Sequence, residues 1–494
     1  MSGRRFVPNS IGIAVGMCVL LWASMAAGQT QPATAPRPTT GPSTLQQRIT
    51  DLVGTYEGKT SPNGIVGVSV RRCDTGRQIV GLRSGRLFVP ASNQKILTSA
   101  FVLAALGGDF RFDVRVYAKD SDLVIVGDFD PTLGDPVLAA AAGRSIYTDL
   151  DNWAAAAKEH FQDRTIGRIR LLVDAQTNAM RHPDWPQREH QSPFAAPACS
   201  LNFANNCIGT VFDVRSGKVR PTLTPTSRYI RIVNRLNVGS RNRWSLRGAK
   251  DMSEVTLRGT VVASAGEQLP TAIDNPPMLL GRVLAGRLAR HGVPFAGSFA
   301  QEATSAVDLS TATLLSRTRR PLRAAMWRMN KYSMNMTAES VLLRAGDGTW
   351  AGSAKAMTES LMADYGLEAE SFRVSDGSGL SAGNRAAPEA VTDLLTQMLG
   401  RDDWAVFVNS LPLAGVEGRV RNRLAQPPYR GRVLAKTGYI YGAQCLSGYV
   451  MDTDNRPVLA YSILVNGVPG GRGPVAHRLH DAICRMLVDS VDGR

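Results

Sequence analysis

Apolar and polar residues alternate from Ile65 to Leu87 on either side of Asp74-Thr75-Gly76, which predicts two strands joined by a hairpin. A second pair is predicted near the C-terminus, where Leu446–Met451 and Val458–Val465 flank the turn residues Asp452-Thr453-Asp454-Asn455. Strands from both ends of the chain are thus expected in one sheet. Apolar residues at helical spacing predict helices over Ser92–Leu106, Ala325–Arg344, Ala354–Tyr365, Pro388–Leu399 and Val475–Val491, which would cover the faces of that sheet.

The first residues follow another pattern. Arg4 and Arg5 precede an apolar run from Ile11 to Trp22, followed by the small residues Ala23-Ser24-Met25-Ala26-Ala27-Gly28. This predicts an export signal over residues 1–28, because a membrane span needs about 20 apolar residues and this run is shorter; an uncleaved anchor is the alternative reading. The chain would then work in the periplasm or cell envelope. Residues 29–46 carry Pro32, Pro36, Pro38, Thr39, Thr40 and Pro42 and read as an extended linker, with folding expected from about Leu45.

A length of 494 residues suits about two or three domains. The 44% of hydrophobic residues are enough for a sizeable core and exclude global disorder. The formal charge is +16, yet only nine of the 57 basic residues are lysine. The arginines are scattered and not interleaved with aromatics, which argues against a nucleic-acid partner. A positive field suits the anionic polymers of a cell envelope and allows peripheral association with membrane or wall; a coding bias toward arginine explains it equally well. Oligomeric state has no signature in the sequence.

Removal of the leader, and Cys18 with it, leaves Cys73, Cys199, Cys207, Cys445 and Cys484, an odd number that cannot all pair. Cys199 and Cys207 are close enough in sequence to close a small disulfide in an oxidising compartment. No cysteine or histidine spacing suits a metal, so no metal or cofactor is expected.

The chemistry gathers in Pro90-Ala91-Ser92-Asn93-Gln94-Lys95. Proline sets an extended approach to an apolar helix, and residues at i and i+3 share a helical face, so Ser92 Oγ and Lys95 Nζ can meet. A serine becomes nucleophilic when a neighbouring base takes its proton, and a lysine can act as that base once burial and nearby positive charge have lowered its pKa. One such pattern arises about once by accident in a chain of this composition. A second motif raises its weight: Lys436-Thr437-Gly438 ends one strand-like run and precedes another, so two of the nine lysines fall in these two motifs. Lys436 and Thr437 would bind a carboxylate, and Gly438 would let substrate approach the backbone closely. A third element, S-x-N, has four candidates: Ser61-Pro62-Asn63, Ser200-Leu201-Asn202, Ser240-Arg241-Asn242 and Ser333-Met334-Asn335. Only the last stands in a loop feeding a helix, where it could offer a hydroxyl for proton relay and an amide for a substrate carbonyl.

In this order, the three motifs resemble the penicillin-recognising serine hydrolases, which include the penicillin-binding proteins and serine β-lactamases. The interval from Ser92 to Ser333 is 241 residues (333 minus 92), far more than the compact members have, and that from Ser333 to Lys436 is 103 (436 minus 333). With Gly127-Asp128-Phe129-Asp130-Pro131-Thr132-Leu133, Asp376-Gly377-Ser378-Gly379-Leu380-Ser381 and Leu411-Pro412-Leu413-Ala414-Gly415, the chain is similar to the D-alanyl-D-alanine carboxypeptidase/endopeptidases of low-molecular-mass class C, from about residue 48 onward. Met334, where Asp is frequent, and Tyr439, where a small hydroxyl residue is frequent, depart from that pattern.

The resemblance implies an α/β fold: a β-lactamase/transpeptidase-like catalytic domain over residues 47–111 and 281–494, an antiparallel sheet flanked by helices, interrupted by a large, mostly β insertion over 112–280. It implies a penicillin-sensitive serine D,D-peptidase acting on peptidoglycan stem peptides, with β-lactams as acylating inhibitors. Lys95, held neutral by burial and by Lys436, would activate Ser92. Ser333 would relay a proton, Asn335 would orient the acyl side, Lys436 and Thr437 would receive the terminal carboxylate beside Gly438, where substrate can approach the backbone, and the N–H groups of Ser92 and Tyr439 would hold the oxyanion. A serine β-lactamase and a non-catalytic peptidoglycan-binding envelope protein are the alternative readings.

Overall fold

The computed structural model describes residues 43–59, 64–173, 180–468 and 473–494. The expected leader, most of the linker and the Ser61-Pro62-Asn63 candidate lie outside these. Among the described residues no helix is long and apolar enough to cross a membrane.

Strands from both ends of the chain meet in one five-stranded antiparallel sheet, ordered Val433–Ile440, Gly442–Met451, Pro457–Val468, Ile65–Arg72 and Gln78–Leu82. The expected hairpins are both present. The central strands are buried on both faces, which is why Pro457–Val468 reads as a nearly continuous apolar run. One face is covered by the helices Leu45–Lys59 and Gly473–Val491, through a core that includes Ile49, Val53, Ile463, Ile483 and Leu487. On the other face Pro388–Met398 packs on the sheet, and a second core joins Leu394 and Leu395 to Ile96, Leu97 and Phe101 of the helix Gln94–Leu106. Thr392 of the helix Pro388–Met398 shares a 2.8 Å hydroxyl–hydroxyl hydrogen bond with Ser69 of the sheet.

The intervening region builds its own sheet, ordered Phe295–Ala303, Ile166–Val173, Asp122–Val126, Arg111–Lys119 and Thr313–Pro321. Two three-stranded sheets accompany it, one made of Arg231–Val238, Glu254–Val261 and Arg243–Gly248, the other of Ala265–Ala272, Cys207–Arg215 and Lys218–Thr224. The helices Thr148–Phe161 and Pro276–Arg290 contribute Trp153, Phe161, Leu280, Val283 and Leu284 to its core, so the region is less purely β than expected.

Two further expectations are corrected. The inserted sheet does not stop near residue 280, since Phe295–Ala303 pairs with Ile166–Val173 and Thr313–Pro321 pairs with Arg111–Lys119. The first strand of the insertion needs its last as a neighbour, and such long-range pairing leaves no local signal. The catalytic part resumes at the helix Leu322–Lys331. The single helix expected over Ala325–Arg344 is two, Leu322–Lys331 and Asn335–Ala345, broken where Ser333 takes a left-handed φ of 58°.

Candidate active site

The nucleophile segment is held by its backbone before any side-chain chemistry begins. Phe88 exchanges backbone hydrogen bonds with Ala386, and Asn466 clamps Val89 by accepting its N–H at 2.8 Å and donating to its carbonyl at 3.0 Å. Ala91–Asn93 then forms one 3-10 turn that runs directly into the helix Gln94–Leu106. Ser92 is thereby fixed at the mouth of that helix, with Lys95 one turn on.

Lys95 is fully buried, and its Nζ reaches three oxygens: Ser92 Oγ at 2.9 Å, Asn335 Oδ1 at 2.7 Å and the Ser378 carbonyl at 2.7 Å. Burial lowers its pKa from the ordinary lysine value, while the nearby carboxylates of Glu339 and Asp376 oppose that shift. Lys436, expected to help hold Lys95 neutral, is itself displaced well downward by burial, then by Lys95 and Arg419. Its Nζ donates to Ser333 Oγ at 3.0 Å and to the Thr437 carbonyl at 2.8 Å. Two lysine–serine pairs thus face one another across the site, and Asn335 links them, sharing its helix start with Ser333 and its Oδ1 with Lys95.

The strand carrying Lys436 is the sheet edge. Its first half is covered by the Leu411-Pro412-Leu413-Ala414 stretch, where Ala414 N–H donates to the Val433 carbonyl and Ala435 N–H to the Pro412 carbonyl. Thr437 and Tyr439 lie past this cover, with the Tyr439 side chain 59% exposed. Gly438 has a different reason to be glycine than the close approach of substrate. A Cβ there would stand 2.8 Å from the Pro90 carbonyl oxygen and 2.9 Å from Asn93 Nδ2, so its first role is to let the strand seat against the nucleophile turn. Asn93 Nδ2 completes that seating by donating to the Lys436 carbonyl at 3.1 Å.

Several groups at the site escape local reading of the sequence. Glu339, fully buried, accepts the backbone N–H of Gly377 and of Ser378 at 2.8 Å each. Burial and Asp376 push its carboxyl up; those two donors and Lys95 pull it down. Asp376 ties the same loop by accepting from the N–H of Gly379 and Ser381, Asn384 Nδ2 and Trp185 Nε1, at 2.6 to 2.9 Å. From the insertion, the Phe194 carbonyl accepts from Asn335 Nδ2 at 2.9 Å, leaving that amide one more N–H for a ligand. Glu339 carried one available signal, a charge in a helix among Met336, Ala338, Val341, Leu342 and Leu343; the structure buries every residue from Asn335 to Leu343. Trp185 and Phe194 carried none.

Of the other S-x-N candidates, Ser200-Leu201-Asn202 is structural. Asn202 Nδ2 bonds the Cys199 carbonyl at 2.7 Å and Ser340 Oγ at 3.2 Å. Ser240-Arg241-Asn242 forms the connection between Arg231–Val238 and Arg243–Gly248, in the insertion. Cys199 and Cys207 are free thiols, not the disulfide their spacing allowed. Among the described residues no cluster of three His, Cys, Asp or Glu suits a metal.

The profile of the D-Ala-D-Ala carboxypeptidase 3 (S13) family matches residues 56–487. The chain belongs to that family. This S13 chain is 28% identical over 482 residues to the D-alanyl-D-alanine carboxypeptidase of Actinomadura sp. (strain R39), covering 89% of this chain and 84% of that one. It is 23% identical over 425 residues to the D-alanyl-D-alanine carboxypeptidase DacB of Haemophilus influenzae, covering 82% and 86%. The crystal structure of penicillin binding protein 4 (dacB) from Haemophilus influenzae superposes with a TM-score of 0.73 at 20% identity, over 88% of this chain and 99% of that one. The S13 fold therefore extends through the inserted region as well as the catalytic part. Membership makes the protein a serine peptidase of the penicillin-recognising group, as the order of its motifs implied.

Proposed function

We propose that Ser92 is the nucleophile of a D-alanyl-D-alanine carboxypeptidase that also opens D,D cross-links, both bonds presenting the same D,D geometry. The observation that carries this is the pairing of Lys95 Nζ with Ser92 Oγ at 2.9 Å and of Lys436 Nζ with Ser333 Oγ at 3.0 Å within an S13 chain.

As free base, Lys95 takes the proton from Ser92 Oγ, which attacks the carbonyl carbon of the penultimate D-alanine. The N–H groups of Ser92 and Tyr439 hold the oxyanion, worth about 3 kcal/mol per donor at comparable sites. Ser333 passes a proton to the departing amine, and Lys436 with Thr437 receives the terminal carboxylate. The remaining Asn335 N–H takes the acyl-side carbonyl. Water then cleaves the Ser92 ester and restores the enzyme. β-Lactams follow the same path to an acyl-enzyme, a reading supported by the related fold crystallised with a β-lactam. Work on a wall polymer fits the export signal read in residues 1–28 and peripheral attachment to the envelope.

Release of D-alanine from a soluble stem pentapeptide, measured for the wild type and Ser92→Ala, tests the proposal. The wild type releases it and the variant does not; equal release by both would remove Ser92 as nucleophile. A β-lactamase would differ by shedding its penicilloyl group rapidly, and a non-catalytic binder by releasing no D-alanine.

A further inference from the structure

The three-stranded sheet of the insertion made by Arg231–Val238, Glu254–Val261 and Arg243–Gly248 buries one face and exposes the other. Leu236, Leu246, Val255, Leu257 and Val261 turn inward to the core. By strand alternation, Arg231, Arg235, Arg243, Arg247 and Arg258 stand on the opposite face, and all five are exposed. Arg258 lies directly across from Arg235 on one side and from Ser245 on the other, so Arg243 and Arg247 are its diagonal neighbours. Directly opposed residues are about 5 Å apart at Cβ, and like charges so placed destabilise a sheet. One arginine therefore has three others around it.

Many buried or half-buried arginines elsewhere are matched, as Arg71 with Asp393, Arg287 with Asp151, Arg328 with Asp135 and Arg432 with Asp492, while exposed ones such as Arg77, Arg86, Arg373 and Arg456 have no ion-pair partner among the described residues. The one acid among the outward residues of these strands is Glu254, which pairs with Arg231; its pKa is lowered by the Thr256 hydroxyl and, with Arg231, by the nearby charge of Arg235. Arg235, Arg243, Arg247 and Arg258 form no ion pair among the described residues. What sets this face apart from the scattered exposed arginines is the register, which holds Arg235, Arg243 and Arg247 around Arg258.

We propose that this face docks the carboxylate-bearing peptides of peptidoglycan, as a tether built on a different sheet from the one that carries Lys436. It rests on the reading that peptidoglycan is the polymer being cut. Planar guanidinium forks match carboxylates, and uncleaved stem peptides each end in one. The face lacks what insertion into a membrane or stacking on single-stranded nucleic acid would require. Trp244 and Leu246 point the other way, and Val233, half-buried, is the one apolar side chain among the arginines, so the face has no aromatic ring to stack on bases and no large apolar group to insert into lipid. Weak contacts to several neighbouring stems would hold the enzyme on the wall and raise the local concentration of scissile bonds at Ser92.

The test uses full-length mature protein acylated with penicillin, so that no turnover occurs, pelleted with purified sacculi at increasing salt. Changing Arg235, Arg243, Arg247 and Arg258 together to Ser should weaken pelleting about tenfold, while D-alanine release from a soluble pentapeptide stays at the wild-type rate. A second variant guards against misfolding: Arg258→Glu puts an opposite charge across from Arg235, so it should raise Tm while also reducing pelleting. Unchanged pelleting by both variants would overturn the proposal. So would wild-type binding to vesicles of phosphatidylglycerol and phosphatidylethanolamine in place of sacculi. Failure of the catalytic reading shows separately, as absent D-alanine release from the pentapeptide by the wild type.

Discussion

Glu339 accepts the backbone N–H of Ser378 at 2.8 Å, and the carbonyl of that same serine receives Lys95 Nζ at 2.7 Å. A buried carboxylate thus sets the position of one acceptor of the lysine and adds a negative charge that opposes its loss of a proton. Glu339→Gln leaves one backbone donor facing an amide N–H, at a cost of about 1–3 kcal/mol. It also removes the charge that raises the Lys95 pKa. Tm should therefore fall, and the acidic limb of penicillin acylation should move to lower pH, because the free base then persists further down. A limb that stays in place would show that this charge does not reach Lys95.

Lys95 itself has a folded pKa below the ordinary 10.5. Between those two values the unfolded chain binds the extra proton, so stability should rise with pH across that window. Acylation should rise with pH through the folded pKa, since only the neutral amine can accept the Ser92 proton. Lys95→Arg keeps the charge and cannot act as a base, and should slow acylation by about 100-fold or more. Stopped-flow acylation from mildly acidic to alkaline pH, spanning the folded Lys95 pKa of about 7, reads both effects, and a flat profile with an active Arg variant would exclude Lys95 as base.

Gly379 has a φ of +81°, and a Cβ there would lie 1.8 Å from the Ala91 carbonyl oxygen. Gly379→Ala should lose about 1–3 kcal/mol to backbone strain alone, and more from the clash. Because the contact falls on the residue before Ser92, acylation should drop along with Tm. Denaturant unfolding paired with penicillin labelling would expose a loss of stability without a loss of labelling, which would place the contact outside the catalytic geometry.

Asp135 Oδ2 pairs with Arg328 Nε at 2.7 Å, both side chains nearly without solvent exposure, while its Oδ1 caps the helix Pro136–Ala141. Asp135→Asn preserves the capping oxygen and strands the arginine. Leaving a buried charge without its partner costs about 3–5 kcal/mol. A stability change under about 1 kcal/mol in urea unfolding would mean that water reaches Arg328.

Cys73, Cys199, Cys207, Cys445 and Cys484 are all free, and burial pushes each thiol up to about 12. The native mature protein should react slowly with a thiol reagent at neutral pH and expose all of these thiols in denaturant without reductant. Two thiols fewer would restore the disulfide between Cys199 and Cys207 that their spacing suggested.

Much of the site could be read from order and spacing because the relations concerned are local. Ser92 and Lys95 meet through one helical turn, the sheet hairpins follow from alternation about a turn, and Lys436-Thr437-Gly438 lies on a strand whose partner follows directly. Local pattern also overreached: helical spacing ran through Ser333, where a left-handed residue breaks the helix and aims the hydroxyl at Lys436. Glycines 379 and 438 were visible as residues, but the Ala91 and Pro90 carbonyls that exclude any larger side chain come from elsewhere in the chain.

What the sequence alone determined were the lysine–serine pair, the hairpins and the order of the three motifs, since each depends on neighbours a few positions away or on sequence order itself. Tertiary structure decided where the inserted sheet closed, and that Glu339, Asp376, Trp185 and the Phe194 carbonyl form the surroundings of Lys95. Trp185 and Asp376 are 191 positions apart, and Asn335 and Phe194 are 141 apart. Contacts at such separation depend on how whole layers pack, and burial of those layers is what gives the charges in this site their altered proton affinities.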